Sequence, residues 1–574
     1  MPPPTPPSPR ATNPIHHERP LRIITVGAGA AGLLVAYKLR RSFARITHTV
    51  YEKNADVAGT WHENRYPGCA CDVPAHVYTY SFAPNPAFSR TYASATEIKA
   101  YFRAFADRHG LARDVRLRRR VRRAAWDAAR GVWGVEVEDA DGGGEVLRDE
   151  CEILIDATGF LNGWEWPAVE GLRDFRGELM HTADWPAGFD FRGKRVGLIG
   201  NGSSAIQVLP AIQPHVESVT TFIRSPTYIA PPIGPSGQRE YTADEKRAFE
   251  TQPGALLSHR KDMENGMNSL FAVFLKDSPE QAAFTRNLAA DMRAKLAANP
   301  ALAATMIPSW SAGCRRFTPG PGYLEALQAG NVRVLTGAAG DVVRVTADGA
   351  TGADGVSHGF DALICATGFD TSFRPRFAVV GAGGADLRDA WADDPRGYLA
   401  VAAAGFPNYL TLFGPNSPTG NGPVLPAIEA QVDYVLRFVD RVQTENIRSF
   451  APKREAVEDF NDHLDAFMAR TVWSEDCRSW YKKHSKHGRI TGLWPGSMLH
   501  FLEAIREPRW DDWEIEYWGN RFAWLGNGFS QLEVDPDGDL SYYIREEDDG
   551  EFSSRRKRRQ ALTGKRKGSA KAKL

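Results

Sequence analysis

The sequence predicts an α/β fold built on two Rossmann-like dinucleotide-binding domains with a helical insertion in the second, and three observations carry that prediction. The apolar run Leu21-Arg-Ile-Ile-Thr-Val26 feeds Gly27-Ala-Gly29-Ala-Ala-Gly32 and then the apolar stretch Leu33–Leu39, which is the order strand, tight turn, helix. The same order recurs at Lys194–Ile199, followed by Gly200-Asn-Gly202-Ser203-Ser-Ala205, with alanine in the third glycine's place. Two further runs share an ending, Ile153-Leu-Ile-Asp-Ala-Thr-Gly159-Phe160 and Ala362-Leu-Ile-Cys-Ala-Thr-Gly368-Phe369. Each reads as a strand returning to a sheet and ending on a small-residue turn beside a nucleotide.

Length and charge bound the rest. At 574 residues the chain exceeds one ordinary core, so two or three domains are expected. Seventy basic residues balance 70 acidic ones, which gives no global charge for nucleic acid or a membrane surface. The six cysteines (69, 71, 151, 314, 365 and 477) lack metal-site spacing, and Cys69 and Cys71 are one residue apart, not the two of a redox pair. A reducing, intracellular compartment fits them. The run Tyr398–Pro415 is interrupted by Gly405, Pro407 and Gly414 and suits a buried strand-loop-strand better than a membrane span.

In chain order, residues 1–20 are expected to form a disordered proline-rich arm, without the apolar core of a secretory signal. Residues 21–165 are the first part of the first nucleotide domain. Gly27 permits its turn, Gly29 lets a pyrophosphate approach the backbone, and Gly32 lets helix pack on strand. The next strand, Thr47–Tyr51, ends at Glu52, an acid placed to bind a ribose hydroxyl. The loop Ala58-Gly-Thr60-Trp61 through Tyr66-Pro-Gly68 to Asp72 is too rich in glycine, proline and aromatics for regular structure. It reads equally as a packed surface loop or as a wall of a cofactor ring system with Asp72 its one buried charge. Trp126–Val137 and Val146–Ile155 read as strands around a Gly-Asp turn. Residues 166–190 link this domain to the second, at 191–350.

In the second domain the strand Ser218–Ile223 ends in Arg224-Ser225, where the first has an acid. Arginine there suits a 2′-phosphate, so Gly200, Gly202, Ser203, Arg224 and Ser225 are candidate NADP contacts, and the first site is assigned FAD. From about 235 to 305 the pattern is helical. Ser278-Pro-Glu-Gln281 is a capping-box start, and Phe284, Leu288, Met292 and Leu296 make one apolar stripe, better read as core packing than as a substrate cover. Gly313-Cys-Arg315-Arg316-Phe-Thr-Pro319 sets two arginines in a turn with apolar flanks, which point at least one inward. Residues 351–500 complete the FAD domain, with a helix at about Val424–Val442 after a Gly/Asn/Pro loop suited to the flavin pyrimidine edge. Trp473, Trp480 and Trp494 crowd a segment placed to close over the site. A C-terminal extension (501–550) and a basic tail (551–574) follow. The tail ends in Ala572-Lys573-Leu574, a variant of the Ser-Lys-Leu address read by the peroxisomal import receptor. Peroxisome or cytoplasm, without secretion, is the expected location.

From Leu21 to about Phe501 the chain resembles the type I Baeyer–Villiger monooxygenases, on two signatures that match without a gap. One is Phe175-x-Gly177-x-x-x-His181-x-x-x-Trp185-Pro186, and the other is the loop Gly59-x-Trp61 to Tyr66-Pro-Gly68 and Asp72. The arginine turn, Gly414-Pro-Asn-Ser-Pro and Cys477-Arg-Ser-Trp-Tyr look most like fungal enzymes of secondary metabolism. The resemblance implies that NADPH reduces FAD, that a C4a-peroxyflavin forms with O2, and that a ketone is converted to an ester or lactone. A polyketide or terpenoid ketone is the expected substrate. By the same resemblance Arg316 is the active-site arginine and Asp72 the acid that positions it. Arg315 and Arg224 contact NADP, Thr60 and Trp61 line the flavin, and His181 couples domain rotation to cofactor placement. An N- or S-oxygenating flavin monooxygenase is the alternative; Trp185-Pro186 and the Asp72/Arg316 pair favour the first reading.

Overall fold

The computed structural model describes residues 12–232, 237–417 and 419–546. The basic tail and Ala572-Lys573-Leu574 lie outside them, as does most of the proline-rich arm. The chain forms two compact units, one of residues 19–443 with 447–517, and a small one that includes 12–18, 444–446 and the segment after Trp518. In the small unit, Ile15 N–H donates to the Phe529 carbonyl and Gln531 Nε2 to the Ile15 carbonyl. The arm is therefore placed from Thr12 onward, against the expectation of a free segment to residue 20.

Two five-stranded parallel sheets organise the large unit. The first runs Tyr409–Thr411, Ile153–Asp156, Leu21–Val26, Ile46–Tyr51, Val115–Arg116. The second runs Val332–Thr336, Ser218–Ile223, Arg195–Ile199, Ala362–Cys365, Glu178–His181. The return strands 153–156 and 362–365 are buried at every position, as expected of parallel strands covered on both faces. Each lies beside the strand that feeds its glycine turn. A Cβ on Gly27 (φ +103°) would sit 2.7 Å from the Ala157 carbonyl oxygen, and one on Gly200 (φ +118°) 2.5 Å from that of Ala366. Both turns thus close over the alanine of an Ala-Thr-Gly ending, and this shared approach explains why the two endings match.

For each five-stranded sheet, an antiparallel excursion also precedes the return strand, with strands Arg119–Asp127, Val132–Asp139 and Leu147–Cys151 for the first and Val342–Thr346, Gly349–Gly352 and Ser357–Gly359 for the second. The expected strand 126–137 is corrected here. It is a hairpin in which Trp126 pairs with Trp133 across a turn closed by Gly131 at φ +63°. Residues 146–155 likewise divide between two sheets. Tyr398–Pro415 contains one strand, Tyr409–Thr411, and its first half is a turn bridged from Tyr398 to Ala402.

The domain limits move as well. Residues 178–181, placed in a linker, are the edge strand of the second sheet, and strand 362–365 belongs to that sheet although it follows the expected boundary at 350. The C-terminal extension returns strand Trp513–Tyr517 to pair with Ile447–Pro452. Helices Ala243–Thr251, Ala255–Asn268, Pro279–Lys295 and Pro300–Met306 fill the predicted helical region. Leu288, Met292 and Leu296 pack with Ile206, Leu209 and Tyr323, so the stripe is core. Ser278 accepts from Gln281 N–H, but Gln281 Nε2 turns to Thr285 Oγ1 at 2.8 Å and leaves the capping box half made.

Candidate active site

Helix Ala30–Ser42 starts at Gly29 and helix Ser203–Ile212 at Gly202, and neither start carries a side-chain cap. The helices at Ala95, Ala243 and Pro279 are capped by Ser94, Thr242 and Ser278. The first N–H groups at the two glycine turns are thus left for an anion, which the helix dipole also favours. There is room for one: a Cβ on Gly202 would meet nothing within 4 Å, and on Gly29 its nearest neighbour would be Gly59 Cα at 3.7 Å. Gly32 differs, since a Cβ there would strike the Gly27 carbonyl. These cradles fit two dinucleotides.

Glu52 ends strand Ile46–Tyr51 and is buried. Its carboxylate accepts from Ala28 N–H at 2.7 Å and Asn54 N–H at 2.8 Å, which oppose the rise in pKa that burial causes. The acceptor is therefore held in place beside the turn. Gly59 (φ +48°) opens the short helix Thr60–Glu63 with its Cβ position 3.1 Å from Gly29 Cα, so this loop starts against the first glycine turn. Trp61 Nε1 donates to Tyr78 Oη at 3.1 Å. Farther on, the loop clasps helix Ser203–Ile212: Tyr66 Oη donates to Gln207 Oε1 at 2.8 Å and Gln207 Nε2 to the Ala70 carbonyl at 3.0 Å. Gly68, at φ +78°, passes so close to the Gln207 carbonyl that no side chain fits. One loop thereby touches both cradles.

At its end Asp72 receives Arg316 in a bidentate pair, Nε to Oδ2 at 2.7 Å and Nη2 to Oδ1 at 3.0 Å. Asp72 lifts the Arg316 pKa above its ordinary value against the opposing effect of burial. The side chains remain 42% and 23% exposed, so the guanidinium keeps donors open to a ligand. Tyr481 is close enough to feel both charges, and burial pushes its hydroxyl up to about 12.

Arg315 points to the second cradle. Its Nη2 donates to Ser225 Oγ at 2.8 Å, Nη1 to the Pro226 carbonyl at 3.0 Å and Nε to the Arg478 carbonyl at 2.6 Å. Burial, then Arg224 and Arg478, lower its pKa to about 10. An anion among these three cations would relieve that repulsion. Arg224 is exposed, with Asp341 at 3.8 Å, and Asn201 Nδ2 holds the Ser225 carbonyl at 2.8 Å. Ser203 Oγ shares a hydrogen bond with Thr318 Oγ1 at 2.7 Å.

His181 stands apart from the Asp72–Arg316 pair. It is fully buried at the end of the second sheet's edge strand and stacks on Trp164 with ring centres 4.4 Å apart. Nδ1 accepts from Ala183 N–H at 3.1 Å, so Nε2 carries the proton toward Thr367 Oγ1, also at 3.1 Å. Burial lowers its pKa to about 4, with Asp184 opposing. The imidazole is neutral and ties two strands of the sheet, which does not fit a proton-transfer residue.

Four features escaped the sequence reading. Gln207 and Arg478 are ordinary polar residues until the fold brings them to Tyr66 and Arg315. Tyr481 lies 165 residues from Arg316. Cys314 and Cys477 form a disulfide with Cα atoms 6.2 Å apart, which corrects the picture of six unpaired thiols; their 163-residue separation hid the pairing, although an arginine follows each. Of the three tryptophans expected to close the site, Trp473 and Trp494 are core, in separate clusters. Only Trp480 stacks on Phe160, next to the first Ala-Thr-Gly ending, at 5.3 Å. The loop before helix Val424–Thr444 is fixed by Gln431, whose Oε1 accepts from Phe413 N–H and whose Nε2 donates to Ser417 Oγ.

Comparison with known proteins agrees with this geometry. Residues 25–95 match the family described as an NAD(P)-binding Rossmann-like domain. The chain is 39% identical over 546 residues to the FAD-binding monooxygenase tazF of Aspergillus terreus, covering 93% of this chain and 96% of the relative. It is 34% identical over 493 residues to a Baeyer–Villiger monooxygenase of Streptomyces coelicolor, covering 85% and 91%. Among solved structures, cyclohexanone monooxygenase from Rhodococcus sp. Phi1 bound to NADP+ superposes with a TM-score of 0.75 at 26% identity, covering 87% of this chain and 100% of that one. The chain belongs to the Baeyer–Villiger monooxygenases, enzymes that use FAD, NADPH and O2 to insert one oxygen atom beside a ketone carbonyl.

Proposed function

We propose that the Asp72–Arg316 pair is the catalytic charge pair of this monooxygenase and that its substrate is a polyketide or terpenoid ketone. The carrying observation is the bidentate geometry, which fixes a guanidinium at the end of the one loop that touches both cradles. Bound FAD, once reduced by NADPH, activates O2 and supplies one oxygen atom to the ketone. Arg316 then acts as a preoriented positive charge where negative charge develops on oxygen, and Asp72 holds its orientation. Gly27, Gly29 and Gly32 with Glu52 hold the FAD pyrophosphate and ribose, and Thr60 and Trp61 border the flavin. Gly200, Gly202, Ser203, Arg224, Ser225 and Arg315 hold NADP, joined by Arg478. His181 ties the edge strand of the second sheet to Thr367 in the turn after the return strand and performs no proton transfer. Residues 178–365 form the NADP domain by this reading, interrupted by the helical region.

The substrate class rests on the resemblance to fungal monooxygenases such as tazF of Aspergillus terreus. The test is turnover under 18O2 with cyclohexanone, a polycyclic aromatic ketone and an organic sulfide, read by mass spectrometry. One labelled oxygen in an ester or lactone is expected. Sulfoxide formation without any ester would overturn the reading in favour of N- or S-oxygenation. Peroxisomal import through Ala572-Lys573-Leu574 is tested by deleting Leu574 from the full chain, where unchanged punctate fluorescence rejects it.

A further inference from the structure

We propose that the Cys314–Cys477 pair is a redox-operated clamp that positions Arg315 and Arg316, closed by the hydrogen peroxide that leaks from the enzyme's own futile turnover. The inference rests on the proposed roles of the two arginines. Cys314 immediately precedes Arg315-Arg316 and Cys477 immediately precedes Arg478, so one bond joins the two arginine-bearing segments. The join is stitched on both sides: Ser311 N–H donates to Glu475 Oε2 at 2.8 Å and Arg315 Nε to the Arg478 carbonyl at 2.6 Å. Without the bridge, exchangeable hydrogen bonds, these two with those of Arg315 to Ser225 and the Pro226 carbonyl, would hold Arg315 in place. Both sulfurs are fully buried, which slows exchange with a dithiol without preventing it, and Cys314 lies two residues from the arginine beside which oxygen is handled.

The chemistry balances. Uncoupled turnover converts NADPH, a proton and O2 to NADP+ and H2O2. Two thiols and one H2O2 then give the disulfide and two waters, and a dithiol reopens it by exchange. Arg315 and Arg316 follow Cys314 in the chain and Arg478 follows Cys477, so bond formation acts directly on the arginine-bearing backbone. Leakage would thus tighten the site that prevents leakage. The remaining cysteines (69, 71, 151 and 365) are unpaired in the structure, which gives the pair a countable signature.

The test uses the full-length FAD-loaded enzyme. Alkylation of denatured protein is expected to count four thiols after peroxide treatment and six after a dithiol. Opening the bridge should raise the KM for NADPH roughly fivefold, the loss of about one ordinary hydrogen bond's net contribution. It should also raise H2O2 released per NADPH in the absence of ketone, with the maximal rate of NADPH oxidation changed by less than about twofold. C314S/C477S should show the open values and ignore both reagents, whereas peroxide should restore the closed values in the reduced parent. Six thiols after peroxide, or a fall in Tm with KM and peroxide release unchanged, would overturn the clamp. Lactone formation by R316A would instead sink the proposed role of Arg316 and leave the NADPH readout, which acts through Arg315, in force.

Discussion

Asp72 and Arg316 are 244 residues apart in the chain and meet in a pair that solvent still reaches. Exposed ion pairs contribute about 0–1 kcal/mol to stability, so this one is not explained as a structural brace. R316A should therefore fold with nearly unchanged Tm and let NADPH bleach the flavin, while ester formation falls by about a hundredfold or more, the scale seen when a preorganised charge is removed. Stopped-flow flavin absorbance and product analysis separate the two steps; normal ester yield would remove Arg316 from the chemistry. D72N should fall between the parent and R316A, because the amide keeps one acceptor for the guanidinium but loses the charge. His181 makes a different prediction. Its folded pKa, about 4, lies below the ordinary value of about 6.5. As pH falls, the unfolded chain takes the proton first, so the stability held by the neutral imidazole is complete above about 6.5 and is lost between there and about 4. Tm plotted against pH should drop in that window, and H181Q should drop less; an equal slope in both would show that other groups carry the acid sensitivity.

At the scale of elements, the two glycine turns that start helices distinguish a ligand's requirement from the fold's. Gly27 has φ +103° and its Cβ would sit 2.7 Å from a backbone oxygen, so G27A should fail to fold or lose FAD outright. Gly202 is at φ −81° with open space around it. G202A should keep its Tm and its flavin and raise the KM for NADPH tenfold or more, about 1.4 kcal/mol of lost phosphate contact. An unaltered KM would mean that phosphate does not pack against that backbone. The glycine turns, their strands and the four-helix region were legible in the sequence, because local spacing and periodicity determine them. The hairpin within 126–137 was overlooked, although poor strand formers in Asp127-Ala-Ala-Arg-Gly131 mark its turn. The clasp of Tyr66 and Ala70 on Gln207 was hidden, as nothing in a lone glutamine shows which loop it will meet.

At the scale of the whole molecule, the repeated Ala-Thr-Gly ending announced two related sheets but not which strands complete them. Sheet membership is set by which edge a distant strand reaches, and that is absent from local pattern. Strand 409–411 thus closes the first sheet from across the chain, and the second takes one strand from before its glycine turn and one from after residue 350. This topology makes a prediction that the simpler division at 350 does not. Strand 362–365 lies beside the strand that feeds Gly200 and bonds onward to 178–181, whose His181 reaches Thr367. Anything that stiffens the Gly200 turn should stiffen all three, since their amides are bonded in one ladder. NADP+ added at about a hundred times its Kd stabilises the bound state by about 2.7 kcal/mol. Hydrogen–deuterium exchange should then slow in 178–183 and 362–367 along with 195–205, while strand 409–411 of the first sheet responds less. Protection confined to 195–350 would show that the ladder does not transmit NADP binding and would return residues 178–181 to the role of a linker.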